Sequence, residues 1–182
     1  MNFDSKAIKK IVIKIGSSVL SDGKGLRPNF FSHLAMQVGF LRERNINTVI
    51  VSSGAVAAAM AVFKRAVKPV LIPEKQAFAA YGQPLLMRQY INAFKKKDLE
   101  VAQILLTQPD LENRARFLNA KHVFTELLSR NIIPVVNEND SVAVEELKFG
   151  DNDRLSAYVA NVVEADLLVI LSHVDGLYDS NP

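Results

Sequence analysis

The sequence has 182 residues, of which 49% are hydrophobic and 23% are charged, as is ordinary for a globular domain. Its net charge of +3 arises from 22 basic and 19 acidic residues that are scattered along the chain, which does not favour nucleic-acid binding. The chain has no cysteine, which excludes disulfides and thiolate catalysis, and its 3 histidines lack metal-ligand spacing, so no metal site is predicted.

Five short hydrophobic segments rich in β-branched residues predict buried β-strands at residues 11–15, 48–51, 101–106, 132–136 and 166–171. Segments with helical spacing of hydrophobic residues alternate with them, at residues 29–44, 55–63, 74–97, 116–130 and 153–164. Pro84 predicts a kink or a break within the longest of these helices. The alternation predicts an α/β fold, a three-layer αβα sandwich around an open, mostly parallel sheet.

The hydrophobic segments also bear on location. None approaches the roughly 18 residues that a membrane-spanning helix needs. The first hydrophobic run is interrupted by Lys14 and makes a poor secretion signal. We therefore expect a cytoplasmic protein that does not enter membranes.

Small or polar residues follow four of the predicted strands. These strand ends carry Gly16-Ser17-Ser18, Ser52-Ser53-Gly54, the cluster from Asn137 to Asp140, and Ser172-His173. Ligands of open parallel sheets bind beyond the carboxyl ends of the strands. The four polar ends therefore predict a binding site at one edge of the sheet.

Lys14 lies between Ile13 and Ile15 near the end of a buried strand. A buried ammonium group needs an anion, although a lysine at a strand end also reaches the surface in many proteins. The backbone N–H groups of Gly16 to Ser18 suit phosphate oxygens. Neither of the two familiar nucleotide-binding motifs, GxxxxGK[ST] and GxGxxG, is present.

The stretch from Asn137 to Asp153 contains two clusters of carboxylates and amides. One interpretation is a hydrated hairpin around residues 142–147, since Asn, Asp and Gly favour turns. The other is a polar ligand site. The turn at Ser52-Ser53-Gly54 also allows a nucleophilic serine, but the GxSxG motif and a histidine base are missing.

Several longer motifs carry a resemblance to a known family. They are KIGSSVL at 14–20, VSSGAVAA at 51–58, QAFAAYGQPLL at 76–86, QILLT at 103–107, RFLNA at 116–120, VVNENDSVAVEELKFGDNDRLSA at 135–157 and DGLY at 175–178. In these motifs the sequence resembles the glutamate 5-kinase branch of the amino acid kinase family. The NEND and FGDND pair is specific to that branch, whereas the KxGS start is shared more widely within the family.

The resemblance implies an enzyme that uses ATP and Mg²⁺ to phosphorylate the γ-carboxylate of L-glutamate, the first step of proline biosynthesis, and that forms homo-oligomers. It implies that Lys14 contacts ATP phosphate and acts in catalysis, and that Asp153 orders the catalytic lysines. The residues expected to bind glutamate are Ser53, Asp140 and Asn152. Those expected to contact ATP, besides Lys14, are Gly16, Ser17, Ser172 and His173.

Two departures from the family pattern accompany these expectations. His173 stands where the family usually has aspartate, and the family's GTGGM-type segment and second catalytic lysine have no counterpart in the sequence. We therefore expect residues 1–182 to comprise the glutamate-binding lobe and the start of the ATP-binding lobe, without the rest of the nucleotide lobe. A non-catalytic glutamate-binding fragment and a sister kinase with another substrate are the alternative functions.

Overall fold

The computed structural model describes residues 8–22, 25–143 and 152–172. Within these ranges the five predicted strands are present and form one parallel sheet in the order β3-β4-β2-β1-β5. The strands are β1 (Lys10–Ile15), β2 (Asn47–Ser52), β3 (Glu100–Leu106), β4 (Ile132–Glu138) and β5 (Leu167–Leu171). The fold prediction of an open parallel sheet is confirmed.

Seven helices accompany the strands in the described ranges. They are α1 (Ser17–Leu20), α2 (Pro28–Glu43), α3 (Ala55–Val62), α4 (Ile72–Lys95), α5 (Gln108–Glu112), α6 (Arg114–Ser129) and α7 (Asn152–Val163). The short helices α1 and α5 were not predicted, because four or five residues are too few to show a helical hydrophobic period. The predicted hairpin around residues 142–147 lies mostly outside the described residues.

The sequence predicts a kink or a break at Pro84, and α4 runs through this position without a break. Proline removes one backbone hydrogen bond from a helix interior. Here the residues on both sides of it are held by tertiary packing, since Ala79, Leu86 and Tyr90 are all buried in the core. The packing therefore outweighs the local preference for a break.

Helices cover both faces of the sheet, as the three-layer prediction requires. Side chains alternate along a strand, so Ile11, Ile13 and Ile15 of β1 pack with α2 and α4, whereas Val12 packs with α6 and α7. None of the helices in the described ranges is both long and apolar enough to cross a lipid bilayer.

The helix α3 lies unusually close to α4 at Gly82. A Cβ atom added at Gly82 would lie 1.8 Å from the carbonyl oxygen of Ala55, the first residue of α3. Any side chain at this position would therefore push α3 away. Gly82 sets the position of the start of α3, which follows directly on the carboxyl end of β2.

Candidate functional site

The carboxyl ends of the strands meet at one edge of the sheet. In the strand register Ile15 lies opposite both Ser52 and Leu171, and Leu106 lies opposite Glu138. The residues that follow these strands, among them Gly16, Ser53, Asn139 and Ser172, therefore lie along the same edge.

A cleft of about 500 Å³ opens at this edge between β2, β4 and the starts of α3 and α7. Its wall combines hydroxyl, amide, carboxylate and ammonium groups. The polar side chains that line it are those of Ser17, Ser53, Lys68, Lys75, Asn137, Glu138, Asp140 and Asn152. This set suits a small ligand that carries both positive and negative charges.

Lys14 of β1 is paired with Asp153 of α7. Its Nζ atom lies 2.5 Å from Oδ1 of Asp153, and only 7% of the lysine side chain is exposed, against 47% for the aspartate. The ammonium group is also close to the turn after β1, because a Cβ atom on Gly16 would lie 3.9 Å from Nζ. The lysine is thus directed inside the protein toward an anion rather than along the surface.

A hydrogen-bonded cluster of amide side chains forms the floor between β2 and α7. The Nδ2 group of Asn152 donates to Oγ of Ser53 at 2.8 Å and to Oδ1 of Asn137 at 3.0 Å. Asn152 and Asn137 are both buried, and their hydrogen bonds join residues from three separate elements. Such a connected network holds each member in a defined orientation.

A hydrogen bond from Tyr90 of α4 stabilises the turn after β2. The Tyr90 hydroxyl donates to Oγ of Ser52 at 2.8 Å, and that oxygen donates in turn to the backbone carbonyl of Ser53 at 2.9 Å. Burial raises the pKa of Tyr90 far above its usual range, more than the Ser52 hydrogen bond lowers it, so the phenol stays a neutral donor. Gly54 completes the turn with φ of +110°, which favours glycine.

The geometry does not support Ser53 as a nucleophile. Its Oγ atom accepts a hydrogen bond from the amide of Asn152, and an amide is not a base that removes a proton from a hydroxyl. The described part of the chain places no histidine against the cleft. The hydroxyl group is instead available to contact a ligand.

The structure brings together most of the residues that the sequence predicts for a site. Ser17, Ser53, Asp140 and Asn152 line the cleft, and Lys14 and Asp153 form their ion pair beside it. Gly16 lies next to that pair, and Ser172 follows β5 at the same edge. His173 lies outside the described residues.

Five further residues in or beside the cleft had no assigned role in the sequence. Asn137 and Glu138 belong to the predicted polar cluster and line the cleft, as do Lys68 and Lys75. Gln83 of α4 is buried and accepts a hydrogen bond from Nδ2 of Asn137 at 2.9 Å. Two local signals point to Gln83, its place in the QAFAAYGQPLL motif at 76–86 and its position as a glutamine on the buried face of an amphipathic helix.

The model of the amino acid kinase family matches residues 9–182. The chain belongs to the amino acid kinase family. In the described ranges of this family member, no group of three or more histidine, cysteine, aspartate or glutamate side chains is arranged to hold a metal ion.

Several curated relatives of this amino acid kinase are named glutamate 5-kinase. The glutamate 5-kinase of Citrifermentans bemidjiense is 53% identical over 97% of this chain and 48% of its own length. That of Thermus thermophilus is 52% identical over 96% of this chain and 47% of its own length. That of Clostridium acetobutylicum is 48% identical over 96% of this chain and 66% of its own length. The chain thus spans about half the length of most of these relatives.

A solved structure supports the fold independently. The isopentenyl phosphate kinase of T. acidophilum, determined as a product complex, aligns with a TM-score of 0.65 over 95% of this chain and 74% of its own. Its sequence is only 16% identical. The likeness therefore concerns the fold alone.

Proposed function

We propose that this amino acid kinase phosphorylates the γ-carboxylate of L-glutamate with ATP to give L-glutamyl 5-phosphate and ADP, and so serves proline biosynthesis in the cytoplasm. The observation that carries the proposal is the cleft lined by Ser53, Asp140 and Asn152 beside the ion pair of Lys14 with Asp153. The identity of about half the residues to proteins named glutamate 5-kinase supports the same substrate.

The chemistry needs charge stabilisation rather than a general base. The γ-carboxylate of glutamate has a pKa near 4.3 and is ionised at neutral pH, so one of its oxygens attacks the terminal phosphorus of ATP directly. A carboxylate–phosphorus bond forms while the bond from that phosphorus to the ADP oxygen breaks. The buried ammonium of Lys14 is suited to stabilise the charge that develops on the transferred group.

The cleft offers complementary groups for the rest of the amino acid. The carboxylate of Asp140 is an acceptor for the substrate's ammonium group, and the Ser53 hydroxyl is a donor to a carboxylate. Asn152 has both amide hydrogens committed to Asn137 and Ser53, so its carbonyl oxygen remains as an acceptor for the ligand. Donors and acceptors are thereby distributed as a zwitterion requires.

ATP is proposed to bind beyond the ends of β1 and β5, with its phosphates near Gly16 and Ser17 and the nucleotide near Ser172 and His173. Mg²⁺ usually binds at kinase sites through substrate phosphates and one or two carboxylates, keeping several waters. Among the described residues, Asp153, which lies partly exposed beside Lys14, is a carboxylate that suits this mode. When bound, the ion would neutralise phosphate charge.

The test measures ADP release together with trapping of the acyl phosphate by hydroxylamine. L-glutamate, N-acetyl-L-glutamate, L-aspartate and UMP are compared as acceptors, both with the 182-residue chain and with the product of the complete open reading frame. Turnover with L-glutamate alone supports the proposal. Preference for another acceptor would reassign the substrate, and calorimetric binding of glutamate with no turnover in either protein would reduce the function to binding.

Association into homo-oligomers is also proposed. The helix α4 exposes Tyr81 and Ile91, which are about half accessible in the single chain. Apolar side chains of this size on one helix suit burial against another copy. Sedimentation of the wild-type chain should give a mass above the 20.2 kDa of one chain, whereas a purely monomeric profile would contradict the proposal.

A further inference from the structure

A relay of side-chain amides extends from the cleft to the far edge of the sheet. Asn137 donates through Nδ2 to Oε1 of Gln83 at 2.9 Å, and Gln83 donates through Nε2 to Oε1 of Gln103 at 3.1 Å. Asn152 of α7 and Ser53, which follows β2, belong to the same relay. The relay thus joins five side chains, and the other three come from β4, α4 and β3. Gln83 and Gln103 do not line the cleft.

The direction of every bond in this relay follows from one backbone group. The N–H of Glu138 donates to Oδ1 of Asn137 at 2.9 Å, and a backbone N–H is only a donor. Oδ1 of Asn137 is therefore the acceptor, and its Nδ2 group must point toward Gln83. Gln83 must then present its oxygen to Asn137, which directs its own amide hydrogens to Gln103.

Because these side chains are buried, their orientations depend strongly on the hydrogen bonds between them. Asn137 is 3% exposed and Gln83 is 8% exposed, so both amides are largely withdrawn from bulk water. A buried amide that loses its hydrogen-bond partner destabilises the folded state, because its lost hydration is not compensated, or it rotates toward another acceptor. If Gln83 is lost, the partners that the described residues leave to the Asn137 side chain are the Glu138 N–H and Asn152.

We infer that Gln83 is a positioning residue for amino-acid binding, which acts through Asn137 on the orientation of Asn152 and Ser53. The inference rests on the proposed function, since it assigns this role toward glutamate. Gln83 holds Asn137 from α4, where the two side chains line a neighbouring cavity of about 220 Å³ that shares Asn137, Glu138 and Asp140 with the cleft. Asn137 in turn commits the amide hydrogens of Asn152, which leaves the Asn152 oxygen and the Ser53 hydroxyl to face the cleft.

Gln103 supports Gln83 more weakly. It lies on β3 at the edge of the sheet and is itself exposed, so water is able to replace it as a partner of Gln83. The relay therefore predicts that substitution of the buried Gln83 weakens glutamate binding strongly, whereas substitution of the exposed Gln103 weakens it only slightly.

The test is calorimetric titration of L-glutamate into the 182-residue chain and its variants. Gln83→Met keeps the length of the side chain but removes its amide, and we expect it to weaken binding about tenfold or more. Gln83→Glu retains an acceptor for Asn137, and Gln103 is able to turn its amide to donate to it, so binding should recover to within about threefold of wild type. Gln103→Leu should weaken binding by about threefold or less.

The matched control is Gln37→Leu, which changes an exposed glutamine on α2. The second readout is the NMR signal of the Asn152 side-chain amide in the ligand-free protein, which should shift in Gln83→Met and stay in place in Gln37→Leu. Unchanged affinity and an unchanged Asn152 signal in a folded Gln83→Met would overturn the inference.

Two further outcomes separate this inference from the proposed function. Equal loss of affinity in Gln83→Met and Gln83→Glu, with the Asn152 signal unmoved, would assign Gln83 to general packing and overturn its positioning role while leaving glutamate as the ligand. Absence of glutamate binding by the wild-type chain would overturn the proposed ligand, and the positioning role would fall with it.

Discussion

Lys14 places an ammonium group inside the protein, where its removal from water is costly unless an opposite charge lies close. Asp153 supplies that charge at 2.5 Å, and its own side chain remains about half exposed. The pair therefore keeps a cation at the end of β1 without burying a second ion completely. This arrangement leaves the ammonium beside the cleft, at the edge where an anionic ligand enters.

The first prediction concerns this lysine. Lys14→Met preserves the unbranched, apolar part of the side chain and removes the charge, so we expect kcat for glutamate phosphorylation to fall about 10²-fold or more. Steady-state kinetics on the protein that shows turnover measures the change. Lys9→Met, at an exposed position of the same segment, is the matched control and should be near wild type. A near-normal kcat in Lys14→Met would remove the lysine from the catalytic machinery.

At the scale of single elements, two local contacts fix where helices begin after strands of the sheet. Gly82 lets α3 approach α4 so that Ala55 begins its helix directly after the turn at Ser53. The short helix α5 begins at the end of β3, where the carboxylate of Asp110 accepts hydrogen bonds from both the backbone N–H and the hydroxyl of Thr107. The first contact requires that Gly82 has no side chain, and the second requires the carboxylate of Asp110.

Gly82→Ala should destabilise the protein by about 3 kcal/mol or more, because the new Cβ overlaps the backbone of Ala55 rather than a flexible side chain. Urea denaturation measures the free energy of unfolding. Gly39→Ala on α2 is the matched control, since a Cβ there lies 3.9 Å from Leu99 in ordinary contact and alanine favours a helix. Similar stabilities for the two variants would contradict the close packing of α3 on α4.

The third prediction is a pH dependence at α5. Burial by itself raises the pKa of Asp110, but the hydrogen bonds from Thr107 and the charge of Arg116 outweigh it, so the net pKa lies below its ordinary value of 3.8. A carboxyl group with a lowered pKa stabilises the folded state above its unfolded value, and that contribution disappears as the pH falls through the folded value. The ionised carboxylate of Asp110 therefore contributes its full stabilisation of the folded state near neutral pH, and this contribution is lost in acid.

Comparison of wild type with Asp110→Ala tests this dependence. We expect the variant to be less stable by about 1 kcal/mol at pH 7, as for the loss of a helix cap. The difference should stay constant down to about pH 5 and shrink below pH 3.8, as the carboxyl group takes up its proton. Chemical denaturation at a series of pH values measures it, and a difference that persists unchanged in acid would refute the assignment.

At the scale of the whole molecule, the cleft is assembled from elements that are distant in the sequence. Its walls come from the ends of β2 and β4 and the starts of α3 and α7, and all are parts of one parallel sheet and its covering helices. A ligand that contacts several of these elements binds only the folded chain. Ligand binding and folding are therefore thermodynamically linked.

L-glutamate without nucleotide should raise the thermal midpoint of the 182-residue chain. At a concentration 100 times its dissociation constant, a ligand that binds only the folded state adds about 2.7 kcal/mol, which corresponds to roughly 5–10 °C for a domain of this size. Differential scanning fluorimetry measures the shift. Glutarate, which lacks the ammonium group, should give a much smaller shift, and an equal shift with glutarate would contradict recognition of the amino group.

Much of this architecture was predictable from local patterns. Within the described ranges, the β-branched segments and the helical spacing between them identify each strand and the five longer helices, because hydrophobic periodicity depends only on neighbours along the chain. The polar residues after the strands also indicate the edge that holds the cleft, since parallel strands end on the same side. Pro84 predicted a kink or a break, and the break is not formed because core packing on both sides of it holds α4 together.

The sequence by itself determined the class of fold and the edge of the sheet that carries the candidate site, and its resemblance to the amino acid kinase family indicated Lys14, Ser53, Asp140, Asn152 and Asp153 there. Only the tertiary structure decided that Asn152 donates to both Ser53 and Asn137, and that Gln83 holds Asn137 across 54 residues of sequence. Such contacts depend on the strand order β3-β4-β2-β1-β5 and on the approach of α4 to the sheet. Local residue patterns carry no signal for either, because both result from packing between elements far apart in the chain.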